Sequence, residues 1–176
     1  MKIFLKLKAW QLFTLLFGPH LLMMMAVIMT GGGPRRMVFI LPLPMIVFLA
    51  VFMAWFWSLG VHINQKVPEE IRPSSRYFRI GLAYSSIYMI AFVGFFVLTA
   101  SGNSRPEFFA FIFPFHLFAM FCLFYALYFV AKNFVMAERQ KTVEFYDCAG
   151  PFFLLWLYPI GVWFIQPRIN RMFQDQ

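Results

Sequence analysis

Two histidines, His20 and His116, are the first places to look for chemistry in this sequence. His20 follows Gly18-Pro19 near the middle of one long apolar run, and His116 follows Pro114 near the middle of another. At about 1.5 Å of helix rise per residue, each lies roughly 12–15 Å from a boundary of its run, so the two imidazoles are expected at comparable depth. A polar ring inside hydrocarbon is costly and is a functional candidate by default. Paired histidines on separate helices are how membrane cytochromes hold haem b, and how helices hold a metal ion. Two histidines without a spacing signature also admit a plainer reading, an imidazole bonded to a carbonyl that the neighbouring proline has freed. The plainer reading is preferred, and the expected cofactor complement is none, with haem b or a metal ion as the alternative. His62, near the end of the second run, reads as an interfacial polar residue.

Other residues suit recognition rather than bond-making. Arg72, Arg76 and Arg79 stand between the second and third runs, and Arg168 and Arg171 lie in the tail, where Gln166 and Asn170 add donors. Such a cluster fits a lipid head group or another phosphate-rich ligand, and it equally serves as a plain anchor on an anionic surface, the preferred reading. In the third run Gly81 and Ser85 are four apart, the spacing of a small-residue seam at which helix backbones approach closely. Tyr84, Ser86 and Tyr88 lie beside it. The search for catalytic motifs is otherwise negative, with no nucleophile elbow, phosphate-binding glycine loop or His-Glu-x-x-His string. Cys122 and Cys148 give no ligand spacing and no disulfide framework.

The composition decides what kind of element positions these residues. The chain has 176 residues, 62% of them hydrophobic and only 12% charged, with a mean hydropathy of +0.73. Soluble domains carry about 25% charged residues, so there is too little charge here to coat a water-soluble globule. The reading is one all-α integral membrane domain over residues 1–176, a polytopic helical bundle. The net charge of +8 is spread over short loops rather than gathered in one patch. It therefore points to an anionic leaflet and not to nucleic acid.

A spanning helix needs about 20 mostly apolar residues. Four runs qualify, at residues 10–30, 37–61, 80–100 and 108–131, with a capping-box spacing at Ser104 and Glu107 ahead of the fourth. The basic start at Lys2, Lys6 and Lys8 leads into a run of span length, read as a retained first helix and not a cleaved signal. A fifth segment, 148–166, is long enough to cross but is broken by Pro159-Ile160-Gly161; it is expected as a full span, a re-entrant hairpin or a helix lying at the interface, with four crossings preferred. Residues 133–147 hold good helix formers and no Pro or Gly. They are expected to carry the fourth helix two or three turns beyond the membrane, with Lys141 pairing Glu138 and Glu144. Trp10, Trp55, Trp57, Trp156 and Trp163 read as interfacial anchors.

Basic residues concentrate on the cytoplasmic side of membrane proteins. With the N-terminus inside, four crossings put twelve Lys and Arg inside and three (Arg35, Arg36, Arg105) outside, whereas five crossings give ten and five. Either count makes the N-terminus cytoplasmic. No Asp, Glu, Lys or Arg falls inside the four runs, which disfavours an ion-coupled carrier, and no internal repeat marks an inverted-repeat transporter.

The string Pro159-Ile160-Gly161…Trp163…Gln166-Pro167-Arg168-Ile169-Asn170 resembles the ending of small uncharacterised bacterial polytopic membrane proteins. The resemblance covers about a dozen residues and implies a bacterial membrane setting without an activity. The expected function is that of a small non-enzymatic protein of the bacterial inner membrane. It would act by assembly, as a homo-oligomer (a pore or membrane effector) or as an accessory subunit of a larger complex. Its partners would be membrane lipids and either its own copies or a larger membrane protein. The alternative is a membrane enzyme that binds haem, a metal or lipid head groups through His20 and His116 or through the arginine cluster.

Overall fold

The computed structural model describes residues 3–31, 33, 40–100 and 106–174. Every regular element among them is helical. A short α1 (Ile3–Lys6) leads into α2 (Ala9–Met29), followed by α3 (Pro42–Asn64), a 3-10 turn (Glu69–Ile71), α4 (Arg76–Ala100), α5 (Pro106–Arg139), α6 (Phe145–Trp156) and α7 (Tyr158–Gln174). Four of these, α2 to α5, are long and apolar enough to cross a membrane. α4 lies along α5, and α3 packs against α2, α4 and α5. Arg35, Arg36, Arg105 and the Ser104 cap lie outside the described residues.

The fifth hydrophobic segment is not one helix. α6 runs back along α5, its Phe145 ring 6.1 Å from Tyr128 and its Trp156 ring 5.6 Å from Phe124. The chain then turns at Leu157, where Pro159 falls in a first helical turn that needs no N–H donor. α7 descends along α2, with Tyr158 5.8 Å from Phe17 and Trp163 5.6 Å from Phe13. Near its end Asn170 donates to the Leu7 carbonyl at 3.1 Å, and Arg168 bonds Glu138 at the foot of α5. The segment therefore leaves the end of the molecule at Arg139 and comes back to it. Both described chain termini lie at that end, together with the loop between α3 and α4.

The packed core is asymmetric. Leu12, Leu16, Trp55, Phe56, Leu59, Phe78, Phe134, Leu155 and Ile165 are fully enclosed, and all belong to the halves of their helices near the hairpin or to the hairpin itself. Lipid tails are as apolar as leucine, so what holds such a core in a membrane is close packing rather than escape from water. Gly60 shows how tight it is, because a Cβ there would enter the Phe78 ring, which is itself fully buried and stacked on Phe129 at 4.8 Å. Gly60→Ala is expected to cost about 1–3 kcal/mol by overpacking, read as an earlier loss of the monodisperse peak when the detergent-solubilised protein is heated.

Two details differ from the sequence reading. α5 runs about two turns past Ala131, as expected, but no farther. It stops at Arg139 because Gln140 takes a left-handed backbone, φ 52°, and its amide donates to the carbonyls of Ala137 and Lys66 at 2.6 and 3.2 Å. Lys141 is thus outside the helix, and the expected pairs are replaced by Glu138 with Arg168 and Asp147 with Arg139. Trp55 is also not an interfacial anchor. It is fully buried, with its indole N–H donating to Gln166.

Candidate functional site

At the end that gathers the termini and loops, polar side chains tie elements together. Gln166, on α7, is completely enclosed. Its amide nitrogen donates to the carbonyls of Phe4 and Leu7 at 2.8 and 2.9 Å and reaches Asn170 Oδ1 at 3.1 Å, while its oxygen accepts from Trp55 Nε1 at 3.3 Å. Carbonyls at the end of a helix as short as α1 have no partner of their own, and Gln166 supplies it. Gln166 and Asn170 are therefore internal clamps, not head-group donors. A second pair, which the sequence reading did not single out, joins α3 to α5. Asn64 Nδ2 donates to Asn133 Oδ1 and to the Pro73 carbonyl, both at 2.9 Å, and Asn133 Nδ2 donates to the Phe129 carbonyl at 2.7 Å. Its sequence signal was an amide side chain just past the end of each of two apolar runs.

The five arginines proposed for head groups do not form one patch of free cations. Arg72 folds onto its own loop, donating to the Val67 carbonyl at 2.9 and 3.1 Å and to Gln65 at 3.4 Å. Arg168 pairs with Glu138 and lies over the Phe134 ring at 4.7 Å. Arg168, Arg171, Glu138, Ala137 and Met172 line an open cleft of about 430 Å³. Arg76 and Arg79 are exposed at the start of α4, and no contact among the described residues joins them to that cleft.

The first turn of α6 carries one shifted acid. Asp147 accepts from the Glu144 backbone N–H at 3.1 Å and pairs with Arg139. The backbone bond first, and Arg139 second, hold its carboxyl below the usual aspartate value. A carboxyl lowered in the folded state contributes stability above its unfolded value, and that contribution fades as pH falls through the folded one. Asp147→Asn is therefore expected to lower the melting temperature at neutral pH. The difference from the parent should begin to shrink near about pH 4, the unfolded value, and close as the pH falls further, as a paired pH series of thermal unfolding curves would show.

Deeper in the spans the two histidines have separate surroundings. His20, on α2, sits edge-on to Phe48 of α3 at 5.9 Å. His116, on α5, bonds Tyr88 of α4 through Nδ1 at 3.1 Å and lies 5.4 Å from Phe92. The rings do not touch, and no group of three or more His, Cys, Asp or Glu suited to a metal occurs among the described residues. His62 bonds the Ser58 carbonyl one turn back in its own helix, at 2.8 Å. Gly81 and Ser85 both face α5. A Cβ on Gly81 would meet Cys122 at 3.5 Å, and Ser85 donates to the Ala119 carbonyl at 3.2 Å. Cys122 and Cys148 are free and buried.

The chain matches no protein-family model, no curated protein and no solved structure.

Proposed function

We propose that this is a multi-pass protein of the bacterial inner membrane that acts by assembly rather than catalysis. It works either as a homo-oligomer, forming a pore or a membrane effector, or as an accessory subunit beside a larger membrane partner. The observation that carries this reading lies on α2. Its first half is locked into the core by Leu12 and Leu16, but from Leu21 to Met29 only Val27 is buried. Leu21, Leu22, Met24, Met25, Ile28 and Met29 are all exposed along that stretch. Unbranched methionines re-pack readily against irregular partners, and helices in lipid associate through such close contact.

In this reading the end that holds the chain termini faces the cytoplasm, and α6 and α7 form a re-entrant hairpin that enters and leaves on that side. Four crossings then leave twelve basic residues inside against Arg35, Arg36 and Arg105 outside, in keeping with the charge bias of membrane proteins. Native mass spectrometry in gentle detergent tests the assembly, together with disulfide cross-linking of a Met25→Cys variant in native membranes. A defined oligomer or a stoichiometric partner is expected, with cross-links through position 25. A lone monomer that forms no cross-link overturns the reading. Cysteines placed at residues 33 and 176 should label from opposite sides, and labelling from one side defeats the topology.

A further inference from the structure

Two cavities of about 230 Å³ each adjoin between α3, α4 and α5, and both are lined by Leu49, Met89 and Leu123. One reaches His116 and Tyr88, and the other ends at Trp156 and Tyr158 on the apex of the hairpin. The result is a long apolar slot, and no Asp, Glu, Lys or Arg lines it. It is deep in the spans. Tyr88 follows Arg79, the last charged residue of α4, by nine positions, about 13 Å of helix in a hydrocarbon layer about 30 Å thick.

The polar pair at its end has unused hydrogen-bonding capacity. His116 bonds Tyr88 through Nδ1, and its Nε2 has no hydrogen-bond partner among the described residues. Among the described residues no fully enclosed side-chain nitrogen or oxygen lacks a partner, so Nε2 borders accessible space. If Nδ1 accepts from the tyrosine hydroxyl, the ring carries its hydrogen on Nε2. If Nδ1 donates instead, the hydroxyl hydrogen is free. Either tautomer leaves one hydrogen to offer, in a medium that holds no water to take it.

We propose that this slot binds a neutral, elongated lipophilic molecule with an oxygen acceptor at one end. The oxygen is held by the Tyr88–His116 pair, and the chain runs past Leu49, Met89 and Leu123 toward Tyr158. An isoprenoid quinone and a neutral acyl lipid share this chemistry. The inference is independent of whether the protein assembles.

The test measures binding of three probes to the purified full-length protein in detergent: decylubiquinone, dioleoylglycerol, and dodecane as a chain without oxygen. Saturable binding of a single decylubiquinone or dioleoylglycerol per chain is expected, and whichever binds names the source. Dodecane should bind more weakly. Tyr88→Phe combined with His116→Phe removes the pair that holds the oxygen and should weaken binding about tenfold. Leu123→Trp fills the junction of the two cavities and should abolish binding at unchanged melting temperature, which keeps the test decisive if the double variant fails to fold. Failure of both oxygen-bearing probes to saturate overturns the proposal, as does equal binding of dodecane. So does a Leu123→Trp variant that still binds the probe, or one that loses self-association instead, which would make a second copy the occupant.

Discussion

Gln166→Leu is expected to be the most damaging conservative substitution in the chain. Leucine matches the volume but removes the amide that satisfies the half-buried Phe4 carbonyl and the enclosed Trp55 indole N–H. The Leu7 carbonyl keeps its bond from Asn170, so two groups are orphaned. A buried group left unsatisfied costs about 1–3 kcal/mol. Hydrogen bonds within membrane proteins fall toward the lower end, so the total loss is about 2–4 kcal/mol. α1 should detach from α7, exposing the Leu5 side chain that the contact buries. Gln166→Glu should be at least as severe, since a carboxylate would point at two carbonyl oxygens. Trp55→Phe orphans the enclosed Gln166 oxygen and leaves a gap where the larger ring packed, a cost of about 1–3 kcal/mol, but it leaves both carbonyl bonds of the amide in place. Heat-challenged size-exclusion profiles of the three variants give the ranking. An α1 segment that resists proteolysis as well in Gln166→Leu as in Trp55→Phe would show that its carbonyls do not depend on the amide.

The second large effect belongs to Gly161. A Cβ there would collide with the carbonyl group of Leu154 on the other arm of the hairpin. The obstacle is backbone, so no rotamer change relieves it. Leu157 already accepts from the N–H groups of Ile160 and Gly161, at 3.0 and 2.9 Å, and these bonds fix the turn. Gly161→Ala is expected to cost more than ordinary core overpacking, which is about 1–3 kcal/mol, by forcing α6 and α7 apart. Val162, Ile165 and Ile169, all enclosed in the native core, would be pulled from it. Limited proteolysis after detergent extraction should then cut between α6 and α7, whereas a Gly150→Ala control, where an added Cβ meets nothing within 4 Å, should remain intact. Equal resistance of the two variants would show that the hairpin turn is not under this constraint.

Much of the fold was legible from particular residues. Lys8 and the residues after Thr30 bound α2, Pro106 opens α5, and Gly81 with Ser85 faces the neighbouring helix. The misreadings share one physical origin. Residues 133–147 contain only helix-compatible side chains, so local propensity puts Lys141 and Glu144 on α5 beside Glu138. The stop at Gln140 depends on its amide reaching the Lys66 carbonyl, which is distant in sequence. Trp55, Gln166 and Asn170 have the types of interfacial residues, and nothing local distinguishes an indole or amide facing head groups from one closing a buried bond. Of the candidate chemistry, His116 was visible as a polar ring at depth, but Tyr88 as its partner was not.

What the sequence settled by itself was the medium and the elements: a chain with so few charges and such long apolar runs must form helices that satisfy their own backbone bonds, and proline with glycine must break the last run. What only the tertiary structure decided was direction, namely that the broken segment turns back and brings Arg168 to Glu138 and Gln166 to the carbonyls of α1. A break removes continuity without choosing where the chain goes next. That choice belongs to hydrogen bonds between residues far apart in sequence, such as Gln166 and Leu7, which no local pattern encodes.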